Sequence, residues 1–147
     1  MNDSATARNR AFVKRCLELI ERRNRNNAPV EIREIVAEAI ASPPPCHFAG
    51  YKLASHNICR LVQRMRKHPD TQRASNLRQQ CWFEMAQQVM AEMDGPRKLT
   101  FAKALSFVLN FRRPSRYYLT EERALRLLRP YIERRSVIRP RRPKSGI

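Results

Sequence analysis

NFRRPSRYYLTEERALRLL, residues Asn110–Leu128, is the stretch that decides the predicted fold. It places a basic, aromatic loop containing a proline directly before a helix that Thr120 can cap. A second stretch, AIASPPPCHFAGYKLASHNICRLV at Ala39–Val62, has a related order. In both, the end of an apolar helix leads into a proline-broken loop, a tyrosine and an amphipathic helix. This recurrence predicts an internally duplicated helical protein.

Apolar residues recur at helical spacing in six segments of the chain. Only three glycines are present, and most of the ten prolines stand between these segments, which favours an all-α fold. We expect residues 1–6 to be disordered and Pro130 to kink or end the last helix. The six predicted helices are about Ala7–Arg23, a segment from near Pro29 to Ile40, Lys52–Lys67, Thr71–Met93, a segment capped by Thr100 and reaching Leu109, and Glu121–Arg135.

The predicted architecture is all-α, with about six helices arranged in two similar three-helix halves. The halves are residues 1–68 and 69–135, and residues 136–147 have the composition of a disordered basic tail. Tandem helix-turn-helix-like units would fit this order, with the last helix of each unit entering the major groove of DNA. The loop before each third helix is longer than the turn of that motif. A plain three-helix bundle therefore fits the pattern equally well.

The charge balance is the strongest compositional feature. Thirty Lys and Arg stand against 13 Asp and Glu, which gives a net charge of +17. A surplus this large favours a polyanionic partner, and nucleic acid is the most common one. The excess is concentrated in residues 97–147, which contain 15 Lys and Arg but only 3 Asp and Glu. Arginine predominates over lysine, which suits paired contacts to phosphates and stacking on bases.

The loop at residues 112–118 combines guanidinium groups, which bind phosphates, with tyrosine rings, which can stack on exposed bases. Aligning Tyr51 with Tyr118 places Tyr118 in the core and leaves the loop arginines for contact. Changing Arg112, Arg113 and Arg116 together to alanine is then expected to weaken binding without altering the thermal midpoint. The tail cations would attract phosphates without regard to sequence, unless the tail is merely solvated. The predicted nucleic-acid-binding residues are Arg112, Arg113, Arg116, Tyr117, Arg123, Arg126, Arg134, Arg135, Arg139, Arg141, Arg142 and Lys144.

No metal or cofactor site is predicted, and no catalytic residues are. A zinc site could draw on Cys46, His47, His56 and Cys59, but their spacing fits no common zinc finger. Most cysteines lie in apolar helical patterns, which is typical of free, buried thiols. The chain lacks a phosphate-cradling glycine loop, a carboxylate cluster and a Ser/His/Asp set, so we expect a non-enzymatic protein.

The motif Pro114-x-Arg116-Tyr117-Tyr118-Leu119-Thr120-x-Glu122-x-Ala124 supports one resemblance. It resembles a motif in small basic proteins of Bacteroidota, in which an aromatic pair precedes Ser or Thr and an alanine-containing helix. A degraded copy at residues 45–51 lacks the arginine and the aromatic pair. These proteins have no assigned activity, so the resemblance implies a bacterial setting alone.

The function predicted from the sequence is non-catalytic nucleic-acid binding through the arginine-rich C-terminal half, with DNA preferred over RNA. Two alternatives stay open: a helical adaptor for an acidic protein partner, and an RNA- or ribosome-associated protein. No apolar run approaches the roughly 18 residues of a membrane span, and no secretory leader is evident. We therefore expect a cytoplasmic protein, associated with the nucleoid if it binds DNA.

Overall fold

The computed structural model describes residues 3–69 and 76–135, and these residues form six α-helices and no strand. The predicted all-α fold class with six helices is confirmed. None of these six helices is long and apolar enough to cross a membrane. The helices are α1 (Asp3–Arg25), α2 (Ile32–Ile40), α3 (Tyr51–Lys67), α4 (Leu77–Asp94), α5 (Phe101–Phe111) and α6 (Glu121–Arg135).

Local signals explain where most helices begin and end. The Thr120 hydroxyl accepts a hydrogen bond from the amide of Arg123 at 3.1 Å, which confirms the predicted cap of α6. The Thr100 hydroxyl caps α5 in the same way. Asn27, with φ of 56°, follows the end of α1 in the left-handed conformation that closes helices.

Two predicted starts differ from the structure. Helix α1 begins at Asp3, so residues 3–6 are helical and the disorder expected for residues 1–6 is wrong for this part. The predicted start of α4 at Thr71 lies outside the described residues. Asn76 accepts a hydrogen bond from the amide of Gln79 at 2.9 Å, and this cap sets the start of α4 at Leu77.

The six helices pack as two groups of three, and we call each group a lobe. The first lobe contains α1, α2 and α6, and the second contains α3, α4 and α5. Within each lobe every helix contacts the other two. In the described part of the chain, packing between helices occurs only within a lobe.

The lobes do not coincide with the predicted halves 1–68 and 69–135, because α3 and α6 each pack in the lobe opposite to the one expected from chain order. The reason lies in the two proline-containing loops, residues 41–50 and 112–120, which we call the crossing loops. Proline removes an amide donor and keeps the preceding residue extended, so neither loop makes a tight turn. Each loop instead carries the next helix across to the other lobe. The two crossing loops contact each other through hydrogen bonds from Arg113 to the carbonyls of Pro43 and Pro44.

Each lobe has its own core. Tyr117 and Leu119 of the second crossing loop join the first core, which contains Phe12 and Leu128. The second core forms around residues such as Met85. The burial pattern also changes how the two halves of the sequence align. Buried residues of the first crossing loop and α3 correspond to buried residues of the second crossing loop and α6 at a constant separation of 70 positions. The pairs are Pro44 and Pro114, His47 and Tyr117, Ala54 and Ala124, and Ile58 and Leu128. Common origin of the two halves stays a prediction.

Helix α6 continues through Pro130 to Arg135, so the proline does not end it. Proline cannot donate the backbone hydrogen bond that this position would otherwise make to the preceding turn. Because Pro130 is exposed, we expect Pro130→Ala to raise the free energy of unfolding by about 1–2 kcal/mol. Urea denaturation measures this gain, with Arg129→Ala as an exposed neighbouring control. Unchanged or reduced stability in Pro130→Ala would mean that a proline-induced bend is required for packing.

Candidate nucleic-acid interface

The three loop arginines predicted to contact nucleic acid are all engaged within the protein. Arg112 pairs with Glu92 at 2.8 Å and lies over the Phe107 ring. Arg113 donates from Nε to the carbonyl of Pro44 at 2.7 Å and from Nη2 to that of Pro43 at 2.9 Å. Arg113 thereby joins the two crossing loops, which is a structural role.

The third loop arginine lies beside the aromatic pair. Arg116 donates to the Tyr117 carbonyl at 3.1 Å, and its guanidinium lies 5.4 Å from the centre of the Tyr118 ring. It is partly buried and has no carboxylate partner among the described residues. Arg116 therefore keeps a net charge that an anion could use.

The roles assigned to the two tyrosines are reversed in the structure. Tyr117 is 2% exposed and packs edge-on against Phe12, with ring centres 5.3 Å apart. A side chain buried to this degree cannot stack on an exposed base, so its predicted contact role is wrong. Tyr118, predicted to be in the core, is half-buried and donates its hydroxyl to Glu84 at 2.6 Å. The error arose from aligning Tyr51 with Tyr118, since Phe48 is its counterpart at the 70-residue spacing.

The remaining predicted contact residues divide into two groups. Arg123 and Arg126 are exposed on α6 and make no ion pair within the described chain. They stay candidates for phosphate contact. The other group has side chains outside the described residues: Arg134, Arg135, Arg139, Arg141, Arg142 and Lys144.

A basic surface that the predicted contact residues do not include lies on α3. We call it the α3 face, and its members are exposed and have no ion pair among the described residues. At 100° per residue they cover about 120° of the helix, opposite its buried side. From first to last they extend over about 22 Å at 1.5 Å per residue. The α3 face consists of Lys52, His56, Arg60, Gln63, Arg64 and Lys67.

Helix α3 differs from the other long helices because it contains no Asp or Glu. On α1, Glu18 and Glu21 lie among the exposed cations, and α6 begins with Glu121 and Glu122. The residue before α3, Gly50, also offers no side-chain cap. The site prediction overlooked this face because it weighed net charge by segment, which favoured the C-terminal half. Four-residue spacing of cations in an acid-free helix was the signal that could have found it.

A cleft of about 220 Å³ lies between the lobes, near the N-terminal end of α3. Arg8 of α1, Arg78 of α4 and Arg116 of the second crossing loop all line it. Among the described residues no Asp or Glu lines it, although Glu84 lies close by and accepts the hydrogen bond of Tyr118. Aromatic and apolar side chains complete the wall, among them Trp82 and Tyr118. The cleft therefore combines cationic, aromatic and apolar side chains.

A chain of hydrogen bonds sets the state of His47 in the cleft wall. Gln88 donates from Nε2 to the Arg113 carbonyl at 2.9 Å, so its Oε1 is the atom that faces His47 Nε2 at 2.6 Å. His47 Nε2 must then carry the proton. Burial lowers the pKa of His47, and the hydrogen bond to Gln88 opposes this only in part. The ring is neutral, and its Nδ1 is a buried acceptor without a partner among the described residues.

His47 makes stability depend on pH in a defined direction. The pKa of His47 in the folded protein lies below the ordinary value of 6.5, which applies to the unfolded chain. At a pH between these two pKa values, the unfolded chain binds more protons than the folded protein does. Stability is therefore complete above about pH 6.5 and falls as the pH decreases below it. We expect this acid loss to shrink in His47→Gln and to persist in the exposed control His56→Gln. Urea midpoints at closely spaced pH values measure it, and equal losses in both variants would contradict the assignment.

The four residues considered for zinc do not assemble in the structure. In the described ranges, no three His, Cys, Asp or Glu side chains lie close enough to hold a metal ion. His47 is engaged with Gln88, and the Cys59 sulfur accepts a weak contact from Gln63. All four cysteines are free, and burial raises the pKa of Cys16 to about 12.

Comparison of the chain with protein-family models, with curated proteins and with solved structures finds no match.

Proposed function

We propose that this protein binds nucleic acid without catalysis, with the α3 face as its main contact surface and duplex DNA as its preferred target. One observation carries the proposal, namely the acid-free face of α3, on which Lys52, Arg60, Arg64 and Lys67 are exposed. The total charge of +17 adds long-range attraction for any polyanion. Charges that serve solubility alone are usually of mixed sign, and the α3 face is not.

The dimensions of the α3 face favour a duplex over a protein partner. The major groove of B-DNA is about 12 Å wide and admits one α-helix. A straight helix face about 22 Å long would meet phosphates on both sides of such a groove, because each strand carries a phosphate about every 3.4 Å. Arg123 and Arg126 of α6, in the other lobe, supply further exposed cations for the backbone. Phosphate contacts of this kind give affinity and little sequence preference.

A salt series tests the proposal directly. Fluorescence anisotropy with labelled duplex DNA, single-stranded DNA and double-stranded RNA of equal length is measured from about 50 to 300 mM salt. We expect the duplex DNA to bind most tightly, with log Kd rising linearly with log salt as phosphate counterions are released. A polyglutamate peptide of similar charge is the control for an acidic protein partner. Absence of binding to all three nucleic acids at the lowest salt, or tighter binding of the peptide, would overturn the proposal.

A further inference from the structure

We propose that the cleft between the lobes binds a nucleotide, with the phosphate held by Arg8, Arg78 and Arg116 and the base placed against Trp82. This site is separate from the α3 face and does not depend on duplex binding there. The cleft would therefore bind a second class of ligand, a single nucleotide with its phosphate and planar base.

The arginines supply the anion-binding half of the site. Within the described chain, the side-chain partner of Arg8 is its neighbour Asn9, at 2.9 and 3.2 Å, and Arg8 lies near enough to Arg123 for repulsion between the two charges. Arg78 is exposed and makes no ion pair in the described chain. Arg116 faces the Tyr118 ring instead of a carboxylate. Among the described residues, three guanidinium groups and no carboxylate line the cleft, and the nearby Glu84 is hydrogen-bonded to Tyr118, so a phosphate would neutralise positive charge here with short, charge-assisted hydrogen bonds.

The aromatic side chains in the same lining suit a ring. Trp82, Tyr118 and Phe48 line it, and aromatic faces of this kind stack on nucleobases. Leu53 of α3, which is 54% exposed, also lines the cleft and is apolar surface without a covering side chain. A volume of about 220 Å³ is below the range of about 300–1,000 Å³ for drug-sized ligands, so the cleft accommodates one ring system and not a stacked pair.

The wall also contains an acceptor that the protein leaves unused. His47 lines the cleft, is 6% exposed, and has its Nδ1 unpaired in the described structure. Buried acceptors without partners cost free energy, and native proteins rarely keep them without a reason. Because the Nδ1 atom is itself buried, a base N–H would reach it only after a movement of the cleft wall, so the proposal rests on the arginines and the aromatic rings.

Two ligands carry the phosphate and the base that this site would bind: a free nucleoside monophosphate and a nucleotide within a single strand. Trp82 is the single tryptophan of the protein, so its fluorescence reports on the cleft alone. The full-length protein is titrated with a nucleoside 5′-monophosphate, the matching nucleoside, inorganic phosphate and a short single-stranded oligonucleotide. We expect saturable quenching by the monophosphate and weaker binding of the nucleoside and of phosphate. Tighter binding of the oligonucleotide than of the monophosphate would identify the strand as the source, and the reverse order would identify the free nucleotide.

The test variant is Arg8→Gln/Arg78→Gln, which avoids Arg116 because that side chain also contacts the crossing loop. We expect it to raise the Kd of the monophosphate at least tenfold, while the matched control Arg33→Gln/Arg129→Gln, which removes the same charge from exposed arginines of α2 and α6, leaves it unchanged. Absence of any Trp82 response to millimolar monophosphate, or equal affinity in variant and control, would overturn the proposal. Duplex binding by the α3 face is measured separately on the same variants, so failure of one site is distinguishable from failure of the other.

Discussion

Changing Lys52, Arg60, Arg64 and Lys67 together to glutamine is expected to weaken duplex DNA binding by on the order of 100- to 1,000-fold near 50 mM salt. These four cations extend along the α3 face and have no acidic partner in the described chain. If each contacts one phosphate, the slope of log K against log salt should fall by about 0.9 per contact, or roughly 3.6 in total. Anisotropy titrations at several salt concentrations measure both quantities.

Helix α1 provides a control of equal charge. Arg10, Lys14, Arg22 and Arg25 are exposed, and Glu18 and Glu21 lie on the same helix. Changing these four to glutamine removes the same charge, so through long-range attraction alone we expect less than a tenfold loss. Equal losses in the two variants would show that the net charge of the protein, and not the α3 face, determines binding. Thermal midpoints of both variants should stay close to that of the unmodified protein, because none of these side chains is buried.

Arg113→Ala is expected to lower the free energy of unfolding by about 1–2 kcal/mol, because hydrogen bonds to a charged group are worth about 1.5–3 kcal/mol and solvent screens part of this at an exposed side chain. The guanidinium bonds at 2.7 and 2.9 Å to two carbonyls link the crossing loops. Their loss would leave the Pro44 carbonyl, in a buried proline, without this partner. Urea unfolding at neutral pH measures the change.

Arg112→Ala is the matched control, one residue earlier in the chain. Its ion pair with Glu92 is only partly exposed, with 47% of the Arg112 side chain and 15% of the Glu92 side chain accessible, and we expect its loss to cost no more than about 1 kcal/mol. Equal destabilisation by the two substitutions would contradict the structural role of Arg113. The same reasoning corrects the expectation for the triple alanine variant of Arg112, Arg113 and Arg116. Its thermal midpoint should now fall, so loss of binding in that variant would not by itself identify a contact surface.

The helices and their caps were predictable because their signals are local. Thr100 and Thr120 act within a few residues of themselves, and apolar spacing gives each helix its buried side. The packing of the lobes was not predictable in this way. It depends on contacts such as that of the Tyr117 amide with the Ile40 carbonyl at 2.8 Å, which no local pattern encodes.

In the candidate site, too, local features were predictable from the sequence and contacts between distant residues were not. The sequence showed a basic protein with arginines beside aromatic rings, and Arg116 with Tyr118 agrees with this. Loops lack a repeating period, however, so which of two adjacent tyrosines turns inward could not be deduced. The cleft was also beyond prediction, since Arg8 and Arg78 are brought together from distant parts of the chain by the crossing loops.

The exchange of α3 and α6 between lobes has a consequence for the order in which the protein can form during synthesis. Helices α3, α4 and α5 follow one another in the chain, so the second lobe can close as soon as α5 has left the ribosome. The first lobe must wait for α6, because α1 and α2 have no third helix until then. The earliest part of the chain to be made is therefore the last to be completed. Until α6 arrives, the apolar sides of α1 and α2 are open to solvent and to chaperones.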